Sequence, residues 1–378
     1  MSAHVINSLF GSGAEPDADL IEAVRDSVRA FARKRDSQAQ GKQRKRTDEE
    51  WNEVAEAGWL GLLAAEERGG AALPVPVLAA LYEALGRCGV TSNYAAIGVL
   101  ALVALECCEP APLRDQLVEQ LVLGAARPVL CWQTANQEDE RAMLFASASL
   151  SQHLVSTADR RDFVEFADVA THFCFPSRCE GQFGLVVVEQ GAPGLAVSLQ
   201  PGLTGGPMGT VTFEGAVSQL NFLPMASRDV LNPAFLLARI AAAAQLAGIS
   251  ERMLELTSDY VVQRVQFGKP IGSNQVVQHR LVDMWGQKEL ARAAVYRASH
   301  ACSAGMTAAE PAVLAAKARA ATAAEVVTKG AFQLHGAIGY TGEYALGDLA
   351  KACLSLIPWL GTAGAARRRF VQLEQQGG

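Results

Sequence analysis

The stretch from Asn232 to Arg264 constrains the fold most. Its first half is built largely of alanine and larger apolar residues, and Gly248 is its one weak interruption. At 1.5 Å per residue it predicts a helix roughly 50 Å long. A helix so long and so apolar must be covered by other helices, which implies a bundle. Asn232-Pro233 reads as an N-cap followed by proline at the first helical position. Phe267-Gly268-Lys269-Pro270 ends the helix. A second long helix is predicted from near Asn274. Thr307-x-x-Glu310 suggests the start of a third, which Gly336 and Gly339 stop. Residues 231–378 therefore read as a C-terminal four-helix bundle domain.

Upstream the pattern changes twice. Residues 1–125 read as an N-terminal helical domain. Leu20, Ile21, Val24, Val28 and Phe31 recur at three- and four-residue spacing, the mark of one apolar helix face. Trp51, Val54, Trp59 and Leu60 continue it, Gly69-Gly70 and Pro74/Pro76 break it, and Leu78–Arg87 and Ala95–Leu105 are further predicted helices. The basic run Arg33–Arg46 reads as a solvated face. Residues 126–230 read as a middle β domain. Val129–Thr134, Val169–Phe175, Leu185–Glu189 and Thr210–Phe213 are β-rich and separated by glycine and proline, which predicts a small antiparallel sheet. The fold class is mainly α with a small antiparallel β domain between two helical ones.

Composition removes several function classes. Lysine plus arginine is 33 and aspartate plus glutamate 39, a net charge of −6. A mildly acidic chain is a poor partner for nucleic acid or an anionic membrane. The longest apolar runs are Tyr94–Leu105, too short to span a bilayer, and Ala234–Ile249, which carries Arg239 and Gln245. Asp17, Asp19 and Glu22 follow the N-terminus with no apolar stretch before them, unlike a signal peptide. The eight cysteines form no CxxC pair and the six histidines no HExxH, so no zinc site is expected. Reduced thiols packed as small hydrophobes, in a soluble cytoplasmic protein, are the expectation.

Two motifs carry chemistry. One runs from Arg264 through Val265-Gln266-Phe267-Gly268-Lys269-Pro270-Ile271-Gly272 to Gln275, His279 and Leu281–Met284. The other, about seventy residues on, is Gln333-Leu334-His335-Gly336-Ala337-Ile338-Gly339-Tyr340-Thr341, followed by Glu343. In this order and spacing they resemble the acyl-CoA dehydrogenase family. Ala57–Leu62, Glu66–Gly70 and Glu83–Arg87 are similar to it as well. The resemblance implies that family's fold, FAD as cofactor, an acyl-CoA substrate and a dimer or tetramer. It assigns cofactor contacts to Arg264, Gln266, Phe267, Gln275, Gln333, Gly336 and Ala337, reaching across a subunit interface to the adenine and pyrophosphate of a neighbour's FAD. The chemistry agrees. A guanidinium and a small-residue turn suit a pyrophosphate, an aromatic ring offers an apolar wall, and amides reach adenine or ribose.

The resemblance also exposes losses. The family takes an α-proton with a glutamate in a Glu-Gly-Thr motif or on the long helix. Here those positions hold Leu360, in Ile357-Pro358-Trp359-Leu360-Gly361-Thr362, and Ala238. Neither accepts a proton, so the catalytic base is unknown. Gln245, Glu251 and Glu343 are nearby polar residues, and Gln245 is no base. Thr-Glu-Pro and Gly-Ser-Asp, which pack on the flavin pyrophosphate, are replaced by Cys131–Asn136 and the acidic run Gln137–Glu140. Trp-Ile-Thr, which lies on the flavin ring, becomes Phe163-Val164-Glu165. Residues the family uses for a neighbour's FAD are kept, and those it uses for its own are lost. That asymmetry implies the non-catalytic companion of a second acyl-CoA dehydrogenase subunit. A self-sufficient homo-oligomer with a non-standard base, or a flavin oxidase or monooxygenase of the same fold, are the alternatives.

Overall fold

A computed structural model describes residues 18–38, 48–135, 145–204, 206–302, 305–342 and 344–377. In chain order its helices and strands are α1 (Ala18–Gln38), α2 (Asp48–Glu56), α3 (Val75–Arg87), a π-turn at Ala96–Ala101 running into α4 (Leu102–Glu106), and α5 (Pro112–Val122). Strands β1 (Pro128–Leu130), β2 (Ala146–Ser151), β3 (Leu154–Glu165), β4 (His172–Cys179), β5 (Gln182–Glu189), β6 (Leu195–Gln200), β7 (Met208–Ser218) and β8 (Phe222–Met225) follow. Then come α6 (Asn232–Gln263), the short strands β9 (Val265–Gln266) and β10 (Lys269–Pro270), α7 (Gln275–Ala301), α8 (Met306–His335), α9 (Leu346–Leu356) and α10 (Ala363–Gly377).

The chain divides into two compact units. Of the described residues, the first takes those within 45–74 and 93–238, and the second those within 15–44, 75–92 and 239–378. In the first unit the sheet order is β6-β7-β3-β2-β4-β5-β8, with β1 also on β4. Most pairs are antiparallel, but β4 runs parallel to both β1 and β2. Phe173 and Phe175 pair with Val188 and Val186 on one buried face, where Phe213 lies 6.1 Å from Phe175 between ring centroids. Within the helical part of this unit, Trp51 Nε1 donates to Gly124 O at 2.8 Å, fixing α2 to the turn after α5.

Four strands, β2, β3, β6 and β8, escape the sequence pattern. β3 carries Asp159-Arg160-Arg161-Asp162, which reads as a loop. In the fold Arg161 is fully buried, paired to Asp159 at 2.6 Å and donating to Trp132 O at 3.0 Å. A satisfied ion pair lets charge sit in a strand where composition argues against it. The predicted strand at Val169–Phe175 starts only at His172, because Phe166–Val169 forms a turn, Val169 N donating to Phe166 O.

The second unit is helical. Its long helices α6, α7 and α8 match the predicted spans closely. Asn232 is not a true N-cap: its backbone is already helical, after a 3₁₀ turn at Arg228–Leu231. Helix α6 passes the length and hydropathy test for a membrane span, yet 89% of its most apolar window is buried in protein, so it is a core helix. Its tightest neighbour is α3. A Cβ on Gly248 would lie 2.0 Å from Glu83 O, and one on Gly86 2.2 Å from Gln245 O. Both glycines are needed for this backbone-to-backbone crossing. Gln245 is fully buried and donates to Val90 O and Ser92 O at 3.0 and 3.3 Å, a structural role. All eight cysteines are free, and only Cys88 is not buried.

Candidate functional site

At one end of the second unit the Arg264 motif folds into a two-residue hairpin. Gln266 pairs with Lys269 and Val265 with Pro270. Phe267 and Gly268 form the tip, both at positive φ, +52° and +80°. Two positive φ values in a row are the signature of the turn whose twist matches paired strands. A phenylalanine there is strained, and its side chain is 100% exposed. A strained, fully exposed aromatic contributes nothing to this chain's own core, and such strain collects at binding sites.

The second motif meets the first at the same end. Tyr260, four residues before Arg264, stacks on His335 with ring centroids 4.4 Å apart and donates its hydroxyl to His335 O at 3.3 Å. His335 is buried, which lowers its pKa, and its Nε2 lies 2.9 Å from the Tyr344 hydroxyl. It is a packing residue that ties the turn to the hairpin. Gly336, next in the chain, has φ +63° and ψ −140°, a region glycine alone occupies readily. Arg264, Gln266, Phe267, Gln275, Gln333, Gly336 and Ala337 are all exposed. The seven lie on the hairpin, the start of α7 and the end of α8, and none is buried in this chain's core.

The two positions that should hold a base are closed. Leu360 is 1% exposed with φ +58°, and its carbonyl accepts from Arg239 Nε at 2.9 Å. Lys317, fully buried, donates to the carbonyls of Leu356, Ile357 and Gly361 at 3.1, 2.8 and 3.4 Å. Burial, and after it the Arg239 guanidinium, lowers the Lys317 pKa to about 7. Ala238 has no exposure. Sequence reasoning passed over this pair of buried cations; a lone arginine in Ala234–Ile249 and a lone lysine among alanines were the signals. Glu251 is no substitute base. It sits 3.8 Å from Arg87 and 3.9 Å from Lys288 in an ion-pair network. Glu343 and the acidic run 137–140 lie outside the described residues.

In the first unit, Phe163 stands at an irregularity of β3 between Arg161 and Val164, with φ +56° and half its surface exposed. It borders a narrow crevice with Ala96, Leu100, Trp132, Gln133, Asp162 and Glu165. Trp132 is buried edge-on against Phe235, centroids 5.5 Å apart, and crowds the crevice floor. Asp162 is fully committed, accepting from Ala135 N and Thr210 Oγ1 at 3.1 Å each and from Arg160. A bulky indole and two carboxylates make this a poor seat for a flavin ring. The outward-facing set of the second unit, with its guanidinium, small-residue turn and amides, fits the adenine-pyrophosphate half of one.

The family model for the acyl-CoA dehydrogenase N-terminal domain matches residues 19–108, and that for the C-terminal domain matches 229–372. An acyl-CoA dehydrogenase of Bacillus subtilis is 33% identical over 200 residues, 49% of this chain and 51% of that protein, so the alignment spans about half of this relative's length. The ChsE4-ChsE5 complex from Mycobacterium tuberculosis has a TM-score of 0.82 at 24% identity, covering 96% of this chain and 98% of that one. The Tcur3481-Tcur3483 steroid ACAD G363A variant has a TM-score of 0.80 at 25% identity, covering 95% and 97%. The chain belongs to the acyl-CoA dehydrogenase family of flavoproteins, whose cofactor is FAD.

Proposed function

We propose that this chain is the non-catalytic companion subunit of a heteromeric acyl-CoA dehydrogenase. It completes the FAD site of a partner subunit of the same fold, which desaturates an acyl-CoA thioester. The partner supplies the carboxylate that takes the α-proton, and its bound FAD supplies the acceptor for the β-hydride. In this chain Arg264 faces the pyrophosphate, the Gly336-Ala337 turn offers backbone N–H groups, and Phe267 forms an apolar wall. Gln275 and Gln333 present amides to adenine or ribose, with Gln266 beside them.

One observation carries the reading. The groups suited to a neighbour's cofactor are exposed and ordered by a strained hairpin, while both base positions are apolar and buried. The Tcur3481-Tcur3483 steroid ACAD, a pair of two differently named proteins on this fold, supports the same reading. So does the exposed stripe Val282, Trp285 and Tyr296 on α7, which suits a helical partner.

The test is flavin per protein after size-exclusion chromatography. The chain alone is expected to hold FAD weakly. Co-expressed with a family member that keeps the glutamate, it forms a mixed oligomer with flavin in about half the sites of a homotetramer. Arg264→Ala removes a charge-assisted contact of about 1.5–3 kcal/mol and weakens the partner's FAD affinity roughly tenfold or more. One tightly held FAD per chain in a pure homo-oligomer overturns the proposal.

A further inference from the structure

Helices α3 and α6 touch backbone to backbone at Gly86 and Gly248. Beside that crossing the floor is small: Ala79 and Ala80 with Pro76 and Glu83 from α3, and Ala244 and Ala247 from α6. Methyl groups do not fill the space that α1 and α7 roof over. The result is a cavity of about 260 Å³ within the second unit. That leaves room for one slender ligand, and an apolar floor with a few convergent polar groups is the usual composition of a small-molecule site.

The polar groups are Arg25, Glu83, Arg292 and His300. Glu83 is engaged by Arg292 Nε at 3.1 Å. Among the lining residues two guanidiniums stand against one carboxylate, and Arg25 has a second carboxylate, the exposed Glu22, at 3.5 Å outside the lining. His300 Nε2 is buried with no hydrogen-bond partner, and its ring lies on Tyr296, centroids 4.2 Å apart. A buried ring nitrogen without a partner is uncommon in folded proteins, and a ligand oxygen would satisfy it. Burial also raises the Glu83 carboxyl, which weakens any claim it has on a cation.

The cavity is separate from the reaction site of the family. Ala244 and Ala247 follow Ala238 by six and nine residues. At 100° per residue they point roughly 240° and 180° around α6 from that base position.

We propose that this cavity binds an anionic amphiphile, a straight-chain carboxylate. Its hydrocarbon lies on the alanine floor and its carboxylate meets Arg25, Arg292 and the free nitrogen of His300. The assignment follows from the two guanidiniums of the lining and the smallness of the floor, and it is independent of the companion role.

Isothermal titration of the purified chain with decanoate, below its micelle-forming concentration, tests this. Decanol and decyltrimethylammonium are the neutral and cationic comparators. One decanoate per chain is expected, with decyltrimethylammonium binding at least tenfold more weakly. Ala247→Leu fills the floor and should weaken decanoate binding at least tenfold. Arg292→Gln, at a half-exposed position where folding is not at stake, should erase the preference for the anion. The proposal is overturned if decanoate gives no saturable heat, if the cation binds as tightly, or if a folded Ala247→Leu chain binds decanoate unchanged.

Discussion

Replacing Lys317 with methionine tests how the Leu360 turn is held. The ammonium is the donor for three carbonyls at the end of α9 and in the turn beyond it. Methionine keeps the length of the side chain but leaves those acceptors dry, and one buried unsatisfied carbonyl costs about 1–3 kcal/mol. Removing a buried charge offsets part of that. The pH dependence is the sharper reading. The native pKa is lowered to about 7 from an unfolded value of 10.5, by burial first and Arg239 second. Between those values the unfolded chain binds more protons than the native one, so the contribution of Lys317 to stability rises with pH. It is complete above the unfolded pKa and is lost as pH falls through about 7. The limiting slope is about 1.4 kcal/mol per pH unit. The buried thiols also titrate at alkaline pH, but wild type and Lys317→Met share them and they cancel in the difference. Urea unfolding, followed by tryptophan fluorescence from neutral to alkaline pH, should show wild type gaining on the variant by about 2–3 kcal/mol over two pH units. A flat or shrinking gap refutes a lysine whose pKa burial lowers to about 7 in the folded chain.

Three further outcomes are expected. Leu360→Glu should not restore acyl-CoA oxidation to the isolated chain, because Trp132, Asp162 and Glu165 still crowd the ring seat; an artificial-acceptor assay approaching an ordinary family rate would reject this. Gly248→Ala places a methyl 2.0 Å from Glu83 O and forces α3 and α6 apart. A loss of about 3 kcal/mol in urea unfolding is expected, and a change within error would mean the helices slide without penalty. Iodoacetamide should label at most Cys88 in the native chain, and slowly, since burial raises that thiol's pKa. Mass spectrometry finding Cys131 or Cys174 labelled first would contradict the packing.

What the sequence makes legible is what depends on short spans. The three long helices follow from runs of apolar residues and their glycine and proline stops. The proposed cofactor-facing surface is carried by Phe267-Gly268 and Gly336-Ala337, local turns whose residue types report their backbone angles. The structure adds Tyr260 on His335, which no spacing announces because the partners lie seventy-five residues apart. The strands were harder. A strand is stabilised by its neighbours, so β3 hides behind four consecutive charges until Asp159 and Arg161 are seen to neutralise one another in the sheet. The crevice at Phe163 draws on three separate segments, and Trp132 looks innocuous until Phe235 packs against it.

The base positions mark the deepest limit of reading by alignment. Leucine in place of glutamate says only that a proton acceptor is gone. The structure shows what surrounds the replacement. Arg239 holds the carbonyl of Leu360, and Lys317 holds those of Leu356, Ile357 and Gly361. A catalytic carboxylate has to meet a substrate carbon, so its turn must open onto that substrate. Here a leucine 1% exposed faces protein instead. On the proposed companion role, restoring one carboxylate should therefore not recover the reaction in this chain. The surface still arranged to meet a ligand is the strained hairpin and glycine turn that point outward, away from this chain's own core.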